Sequence, residues 1–446
     1  MSRPAARTSP GACRPAPRFA SVARSSSSWS PAVSDIAPVP PGRRYDLDWI
    51  RVGAFLLLIF YHVGMFYVPW DWHVKSGHEL PWLEPVMQLT SPWRLTLLFL
   101  VSGCATRFLA DSFAARGKGA GALAGSRLLR LLPALLFAMF VIVPPQSYYE
   151  IFEHLRGQGV ADPAGHSWLT DFWVRYATAS GGWCGPDGCL ITPTWNHLWF
   201  VVYLLVYSLL LALVLAVPGA RRALQAGADR IFRGWGLLVW PLVWLCAIRL
   251  FLAPAFEITH ALVDDWYNHA LSFAAFLFGF LIARSEPARR AFMAARWPAL
   301  GLAVVSWAAW AAWSWTFRGD DAVPPEALRT AMRLVYAVDQ WAFIVAILGF
   351  GARWLNRGGP VLRYLTIGVF PFYIVHQTLI VVVGHHLATL GLPLVAEATL
   401  LIAATFAGCF LAYEAARRLG WLGLLLGVRP ASRPAAGSHA SASQAA

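Results

Sequence analysis

The sequence predicts an all-α membrane protein that crosses the bilayer about ten times. Of its 446 residues, 58% are hydrophobic and 13% are charged, whereas soluble domains average about 25% charged residues. So few charged groups cannot cover a water-facing surface, and most of the surface must therefore contact lipid. Apolar stretches of about 20 residues, the length that crosses a hydrocarbon core, occur ten times along the chain.

The ten candidate spans follow one another between two polar tails. They lie at 49–68, 92–110, 128–146, 197–217, 235–252, 268–283, 297–316, 331–350, 364–384 and 395–413. Residues 1–43 are rich in Ser, Pro, Ala and Arg and predict a disordered basic tail. Residues 44–420 form the predicted transmembrane domain, and residues 421–446 a second, cytoplasmic tail.

The basic residues fall unevenly on the segments that connect the spans. Alternate segments, counted from the N-terminal tail to the C-terminal end, hold 27 Lys and Arg residues, and the other segments hold 6. Because cytoplasmic segments of membrane proteins carry the excess of Lys and Arg, both termini are predicted to be cytoplasmic. This asymmetry also accounts for the net charge of +13, so no nucleic-acid partner is expected.

The cysteines do not indicate a metal site, because no paired Cys or His motif accompanies them. Cys184 and Cys189 lie in the longest predicted outer loop, separated by Gly-Pro-Asp-Gly, which is typical of a tight turn. They could form a disulfide if that loop faces an oxidising space. Cys104, Cys246 and Cys409 lie in spans and are interpreted as packing residues.

The first span carries two ionisable groups, Arg51 and His62, although such groups are unfavourable inside a bilayer. Eleven residues separate their positions, so on a helix they differ by about 20° in direction and about 16 Å along the axis. In the predicted orientation Arg51 lies at the cytoplasmic edge and His62 beyond the midplane. Simpler interpretations stand beside a functional one: Arg51 as an anchor that reaches the interface, and His62 as a hydrogen-bonding partner of a neighbouring helix.

Other polar groups of the spans separate by side. Arg94 and Arg107 mark the outer and inner ends of the second span, and Ser102 and Gly103 between them would let a helix or a substrate approach closely. Histidines and an aspartate gather toward the outside: His73, His197, Asp265, His269 and His376.

This separation suits two kinds of chemistry. Histidine transfers protons near neutral pH, and arginine binds phosphates. A phosphate-bearing donor from the cytoplasm and a hydroxyl acceptor from outside would fit, and so would a proton-coupled transporter. Trp72 and Trp195, on the outer side, are typical of interfacial belts but could also stack against sugar rings.

Six short segments follow one another in an order typical of one protein family. They read "RYDLDWIRVGAFLLLIFYHVGMFY", "WDWHVKS", "RLTLLFLVSGCATRF", "NHLWFVVYLL", "FYIVHQTLI" and "YEAARR". The first, third and fifth resemble elements of the integral-membrane acyltransferase-3 family, whose first helix has an Arg and a His with ten residues between them. The other three resemble its glucan biosynthesis branch. The resemblance covers roughly residues 44–420.

The resemblance implies transfer of an acyl group from cytoplasmic acyl-CoA to a carbohydrate hydroxyl on the outer side of the bacterial inner membrane. In the glucan branch the acyl group is succinyl, so succinyl-CoA is the expected donor and a periplasmic glucan, or a related glycan, the expected acceptor. By position, His62 is the implied catalytic residue, and Arg51, Arg94 and Arg107 are implied donor-site or structural arginines. Further candidates for orienting His62 or the sugar are Trp72, His73, His197, Asp265, His269 and His376. No bound cofactor or metal is expected.

Two rival functions are a transporter and a scaffold. A transporter that exports an acylated or glycan species would be expected to show an inverted repeat of hydropathy with broken helices, a pattern not evident in this sequence. A non-catalytic scaffold would not explain Arg and His inside spans. The sequence therefore predicts an O-acyltransferase in which His62 takes the proton from the sugar hydroxyl, with an acyl-histidine as a conceivable intermediate.

Cysteine labelling tests the predicted orientation. A reporter cysteine in 219–233 should react only with reagent supplied from the cytoplasm, and one in 147–196 only with reagent supplied from outside, because Lys and Arg mark the cytoplasmic segments. Labelling from the opposite side at either position would overturn the orientation, and with it a donor that enters from the cytoplasm.

Overall fold

The computed structural model is helical, which confirms the predicted all-α class. It describes residues 43–157, 168–185, 188–319 and 322–428. The predicted tail at 1–43 lies outside these ranges except for its last residue, and so does the second tail beyond residue 428. Two-residue strands β1 (Cys184–Gly185) and β2 (Gly188–Cys189) pair antiparallel. Cys184 and Cys189 are joined by a disulfide, the pairing that the sequence left open.

The α-helices of the described ranges are numbered in chain order. They are α1 (Tyr45–Tyr67), α2 (Glu84–Gln88), α3 (Arg94–Ala115), α4 (Ala120–Phe137), α5 (Pro144–Gly157), α6 (Trp173–Ala177), α7 (Trp199–Ala216), α8 (Ala220–Ile231), α9 (Gly236–Phe251), α10 (Trp266–Ile282), α11 (Glu286–Thr316), α12 (Glu326–Trp354), α13 (Pro360–Ala388), α14 (Leu394–Arg418) and α15 (Gly420–Leu425). Short 3₁₀ segments at Pro81–Leu83 and Asn196–Leu198, and π-helical segments at Ala138–Ile142 and Trp168–Phe172, connect some of them.

Nine of the ten predicted spans each coincide with one of these helices, and the third, 128–146, runs from α4 through a π-helical segment into α5. Within the described ranges, eight helical runs are long and apolar enough to cross a membrane: α1, α3, α4 together with α5, α7 with the turn before it, α11, α12, α13 and α14. Helices α8 and α9, bent by 96°, add a ninth crossing if they form one span. Helix α10 is apolar but has 17 residues, so the fifth and sixth predicted spans are the short ones.

Helices α1 and α3 lie between two apolar clusters. Phe55 of α1 and Phe99 of α3 pack into the cluster formed with α4, α7, α13 and α14. Ile50 and Leu97 pack into the cluster formed with α9 to α12. In lipid, helix association depends on such close packing, because lipid tails are themselves apolar. The two helices that carry His62 and Arg94 are therefore held from both sides.

Two glycines allow α3 and α10 to approach closely. A Cβ atom at Gly103 would lie 1.9 Å from the carbonyl oxygen of Phe276, and one at Gly279 would lie 1.9 Å from that of Leu100. Cys104 Sγ donates to the carbonyl of Gly279 at 3.1 Å. Of the two partners predicted for Gly103, a helix or a substrate, the structure places a helix there.

Alanine at either glycine should destabilise the protein, because the new methyl group meets backbone rather than a movable side chain. We expect Gly103→Ala and Gly279→Ala to cost about 1–3 kcal/mol each and to lower the midpoint of thermal unfolding in detergent. Gly53→Ala and Gly301→Ala are matched controls, since nothing lies within 4 Å of a Cβ at those positions. Equal midpoints for all four variants would contradict this packing.

Candidate active site

A cavity of about 510 Å³ lies where the end of α1 meets the starts of α3 and α7 and the middle of α13. Its wall includes five of the predicted site residues: His62, Trp72, His73, Arg94 and His197. They come from segments far apart in the chain, all of which the charge distribution assigns to the outer side. The structure thus brings together half of the ten predicted site residues in one wall.

His62 is the first member of a chain of hydrogen bonds that ends on the backbone. His62 Nδ1 lies 2.8 Å from His376 Nε2, and His376 Nδ1 lies 2.8 Å from the carbonyl oxygen of Tyr373. A carbonyl oxygen can only accept, so His376 Nδ1 carries a proton, and a neutral His376 accepts at Nε2. His62 therefore donates from Nδ1. Its Nε2 is left as a proton acceptor in a ring that lines the cavity.

His197 fixes the part of α13 on which this chain ends. Its Nε2 donates to the carbonyls of Tyr373 and Ile374 at 3.2 and 3.1 Å, and the Tyr373 hydroxyl donates to the carbonyl of His197. Gln146 Nε2 lies 3.4 Å from His197 Nδ1. Both ring nitrogens of His197 are thus occupied by contacts within the protein, and these contacts tie His197 to α13.

His73 also has both ring nitrogens occupied. Its Nε2 accepts from the amide nitrogen of Gln377 at 2.9 Å, and its Nδ1 donates to a carboxylate oxygen of Glu150 at 2.8 Å. His73 therefore links the loop after α1 to α5 and α13. Its contribution to the site is to orient that loop.

Lys75 caps the C-terminal end of α1 and, through the carbonyl of Trp70, holds the loop that carries Trp72. Its ammonium donates to the carbonyls of Met65 and Trp70 at 2.8 and 2.9 Å, and to that of Val68, as basic side chains do at helix C-termini. Burial lowers the pKa of Lys75. The Trp72 ring lies nearly parallel to that of His62, at 14° with 6.5 Å between centroids.

Arg94 belongs to the cavity wall. The residue is 4% exposed, its guanidinium lies 3.5 Å from the centre of the Tyr61 ring, and Nη1 donates to the Thr90 hydroxyl at 3.3 Å. Such stacking on an aromatic ring is favourable for a desolvated cation. Arg94 therefore places a positive charge in the same wall as His62, and its implied role as a donor-site or structural arginine stays a prediction.

Arg51 and Arg107 do not line this cavity. Arg51 Nη2 donates to the carbonyl of Thr366 at 3.1 Å, which ties α1 to α13. Arg107 donates to Asp111 at 3.1 Å and to Gln225 at 2.7 Å, at the opposite end of α3 from Arg94. The structure thus separates these two arginines from Arg94, and their role in donor binding stays a prediction.

Asp265 and His269 lie behind the cavity rather than in its wall. Asp265 is fully buried and accepts from the Tyr203 hydroxyl at 2.5 Å. His269 accepts from the Tyr207 hydroxyl at 2.9 Å and lines an apolar groove of about 620 Å³ between α9 and α10. Both residues contact the loop before α10, and neither lines the cavity.

That loop contributes His260, which sequence analysis missed. The His260 ring lines the cavity and stacks on Trp199 with 4.0 Å between centroids. A single histidine outside the spans gave no pattern to follow. Only its position, five residues before the predicted site residue Asp265, could have indicated that His260 belongs to the site. Within the described ranges, no group of three or more His, Cys, Asp or Glu side chains is arranged to hold a metal ion.

Many apolar helices define a membrane protein, and the partly buried His62 has one ring nitrogen that the protein leaves open toward the cavity. The family model described as "Acyltransferase domain" (acyltransferase-3) matches residues 44–414. The chain therefore belongs to this family of membrane acyltransferases, which confirms the resemblance found in the sequence.

A shorter stretch is similar to Glucans biosynthesis protein C of Escherichia coli. In strains K12, O1:K1 / APEC and O139:H28, this relative is 36% identical over 66 residues, which is 15% of this chain and 17% of the relative. The match thus spans less than a fifth of the length of these relatives. No solved structure matches the chain.

Proposed function

We propose that this acyltransferase moves an acyl group from cytoplasmic acyl-CoA to a hydroxyl of a glycan at the outer face of the bacterial inner membrane. The observation that carries the proposal is the open Nε2 of His62 in a cavity on the side assigned to the outside. The local similarity to Glucans biosynthesis protein C favours a succinyl group and a periplasmic glucan.

In the proposed reaction His62 acts first as a base and then as an acid. Its Nε2 takes the proton of the sugar hydroxyl while the hydroxyl oxygen bonds to the thioester carbonyl carbon. The carbon–sulfur bond then breaks, and the departing thiolate takes the proton from His62. The products are an ester and free coenzyme A, and His62 returns to its starting state. His376 accepts the Nδ1 proton throughout, so the ring keeps its orientation.

Arg94 is suited to stabilise the oxyanion that forms on the thioester carbonyl. A fixed positive charge in a site shielded from water acts on such an anion more strongly than it would in bulk solvent. Thr90 and the Tyr61 ring hold the guanidinium in place, so little reorganisation is needed when the charge develops.

The donor would be held at the other side of the membrane by arginines. Arg107 shares Asp111 with Arg221 and Arg284, so one carboxylate faces three guanidinium groups. The surplus positive charge suits the phosphates of acyl-CoA. Arg51, five residues before the middle of α1, would contact the donor between this cluster and the cavity.

Loss of His62 should abolish acylation of the glycan. We expect His62→Ala to lower activity by about 10²–10⁴-fold, the usual contribution of general acid–base catalysis, with normal insertion. The measurement is mass spectrometry of periplasmic glycans from cells that lack the protein or express wild type, His62→Ala or His386→Ala. His386, which contacts Tyr149 outside the cavity, is the control and should retain activity.

The mass added to the glycan identifies the acyl group, and an added succinyl mass supports the glucan branch. Unmodified glycans in cells that express the wild type would refute the proposed acceptor. Glycans that change only in their amount outside the inner membrane would favour a transporter instead.

Replacing Arg51 should weaken apparent donor affinity rather than the chemical step. Losing a charge-assisted contact costs about 1.5–3 kcal/mol, so Arg51→Ala should raise the KM for acyl-CoA. The activity of this variant should recover at high donor concentration. Arg51→Lys should be intermediate, because it keeps the charge but not the planar group. His62→Ala should not recover, since the base acts after both substrates are bound.

Initial rates against acyl-CoA concentration in proteoliposomes, at saturating acceptor, distinguish these effects. A lowered plateau with unchanged donor dependence would assign Arg51 to the contact with Thr366 and thus to structure, and the donor site would lie elsewhere.

A further inference from the structure

The loop between α9 and α10 has an unfavourable backbone where it borders the cavity. His260, Leu262 and Asp264 have φ values of 56°, 69° and 61°, in the left-handed region that residues with a Cβ atom seldom adopt. Such conformations persist where surrounding contacts impose them, and they cluster at functional sites. Residues 259–265 are called the His260 loop below.

Side chains of the neighbouring elements impose this conformation. The buried carboxylate of Asp265 accepts from the backbone N–H of His260 at 3.2 Å. Trp195 Nε1 donates to the carbonyl of His260 at 2.9 Å, and His269 Nε2 donates to the carbonyl of Leu262 at 2.7 Å. Both backbone polar groups of His260 are thus fixed, and the direction of its side chain is fixed with them.

The side chain held in this way keeps free hydrogen-bonding capacity toward the cavity. Its ring lies flat against Trp199, and among the described residues neither ring nitrogen makes a hydrogen bond to the protein. Burial lowers the pKa of His260 to about 4, so the imidazole is neutral between about pH 5 and 8. A neutral imidazole offers one donor and one acceptor.

These properties match a sugar better than a charged group. A sugar hydroxyl both donates and accepts, as a neutral imidazole does, and the apolar face of a pyranose ring can lie on an aromatic side chain. Trp72, Trp195 and Trp199 also line the cavity, so aromatic surface and a neutral hydrogen-bonding group occur together. Asp71 and Arg94 also line the cavity, but the His260 loop contributes only Thr259 and the neutral His260 to its wall, so the wall at this point suits an uncharged ring.

We propose that His260 positions the acceptor, by hydrogen-bonding a hydroxyl of a neutral pyranose unit next to the one that His62 deprotonates. This inference rests on the proposed function. It gives Asp265 and His269 a defined part as positioning residues, since they hold the loop and do not touch the sugar. Their presence among the predicted site residues then has a structural explanation.

Direct binding of the acceptor tests the inference without requiring transfer. Unacylated periplasmic glucan, extracted from cells that lack the protein, is titrated calorimetrically into purified protein without donor. His260→Ala should bind about five- to tenfold more weakly than wild type, as expected for the loss of a hydrogen bond. His260→Gln should recover much of the affinity, because its amide also donates and accepts, and His386→Ala should equal wild type.

Steady-state rates in proteoliposomes separate positioning from general damage. His260→Ala should raise the KM for glucan and leave the KM for acyl-CoA unchanged, and Asp265→Asn should have the same effect through the loop. Equal glucan affinity in wild type and His260→Ala, or no binding of glucan to wild type, would overturn the inference. Glucan that binds through His260 but is never acylated would refute the proposed function and leave standing only the role of His260 in binding glucan.

Discussion

The hydrogen bond between His62 and His376 is the interaction on which the site depends. It joins α1 to α13 at the wall of the cavity. The carbonyl of Tyr373 fixes the proton on His376 Nδ1. The direction of the hydrogen bond from His62 to His376 therefore follows from this one backbone group. His197 holds that backbone from the other side, so disturbing any of these residues would change the nitrogen that His62 presents.

Helix α3 relates this site to the opposite side of the membrane. Arg94 near its start lies in the cavity wall, and Asp111 near its end binds three arginines. The two positions are about 26 Å apart along a helix, close to the thickness of a hydrocarbon core. The contact of Gly103 and Gly279 with the facing backbones holds α3 against α10, and α10 begins directly after the His260 loop. One rigid pair of helices thus supports the acceptor side and reaches the arginine cluster.

The site residues that could be predicted from the sequence are those whose position alone is unusual. His62 and His376 are ionisable groups inside apolar spans, and that cost made them visible without a structure. The helical spans were predictable because each is a long apolar stretch, although α9 and α10 are shorter than a crossing. The position of Arg94 in the cavity was not predictable, because a helix-end arginine in sequence is equally consistent with an anchor or a phosphate contact.

His260 shows why the remainder of the site escaped detection. Its importance depends on backbone angles and on contacts from Trp195, Asp265 and His269, and no spacing rule encodes contacts between residues 65 positions apart. The apolar surroundings of a span make an ionisable residue there stand out, whereas a histidine in a polar loop is unremarkable in the sequence. Sequence therefore locates the base more readily than the surface that selects the acceptor.

The charges around His62 also restrict the order of events in the proposed reaction. Protonation of His62 alone would place a second cation beside Arg94, and His376 offers a neutral ring rather than a carboxylate to offset it. An isolated charge in a low-dielectric site is unfavourable, so the imidazolium should form together with the oxyanion on the thioester carbon. Proton removal and attack are then coupled, and His62 remains neutral until donor and acceptor are both present. The same coupling would suppress hydrolysis of acyl-CoA, because a water molecule that lacks the contacts of the sugar is less well placed for attack.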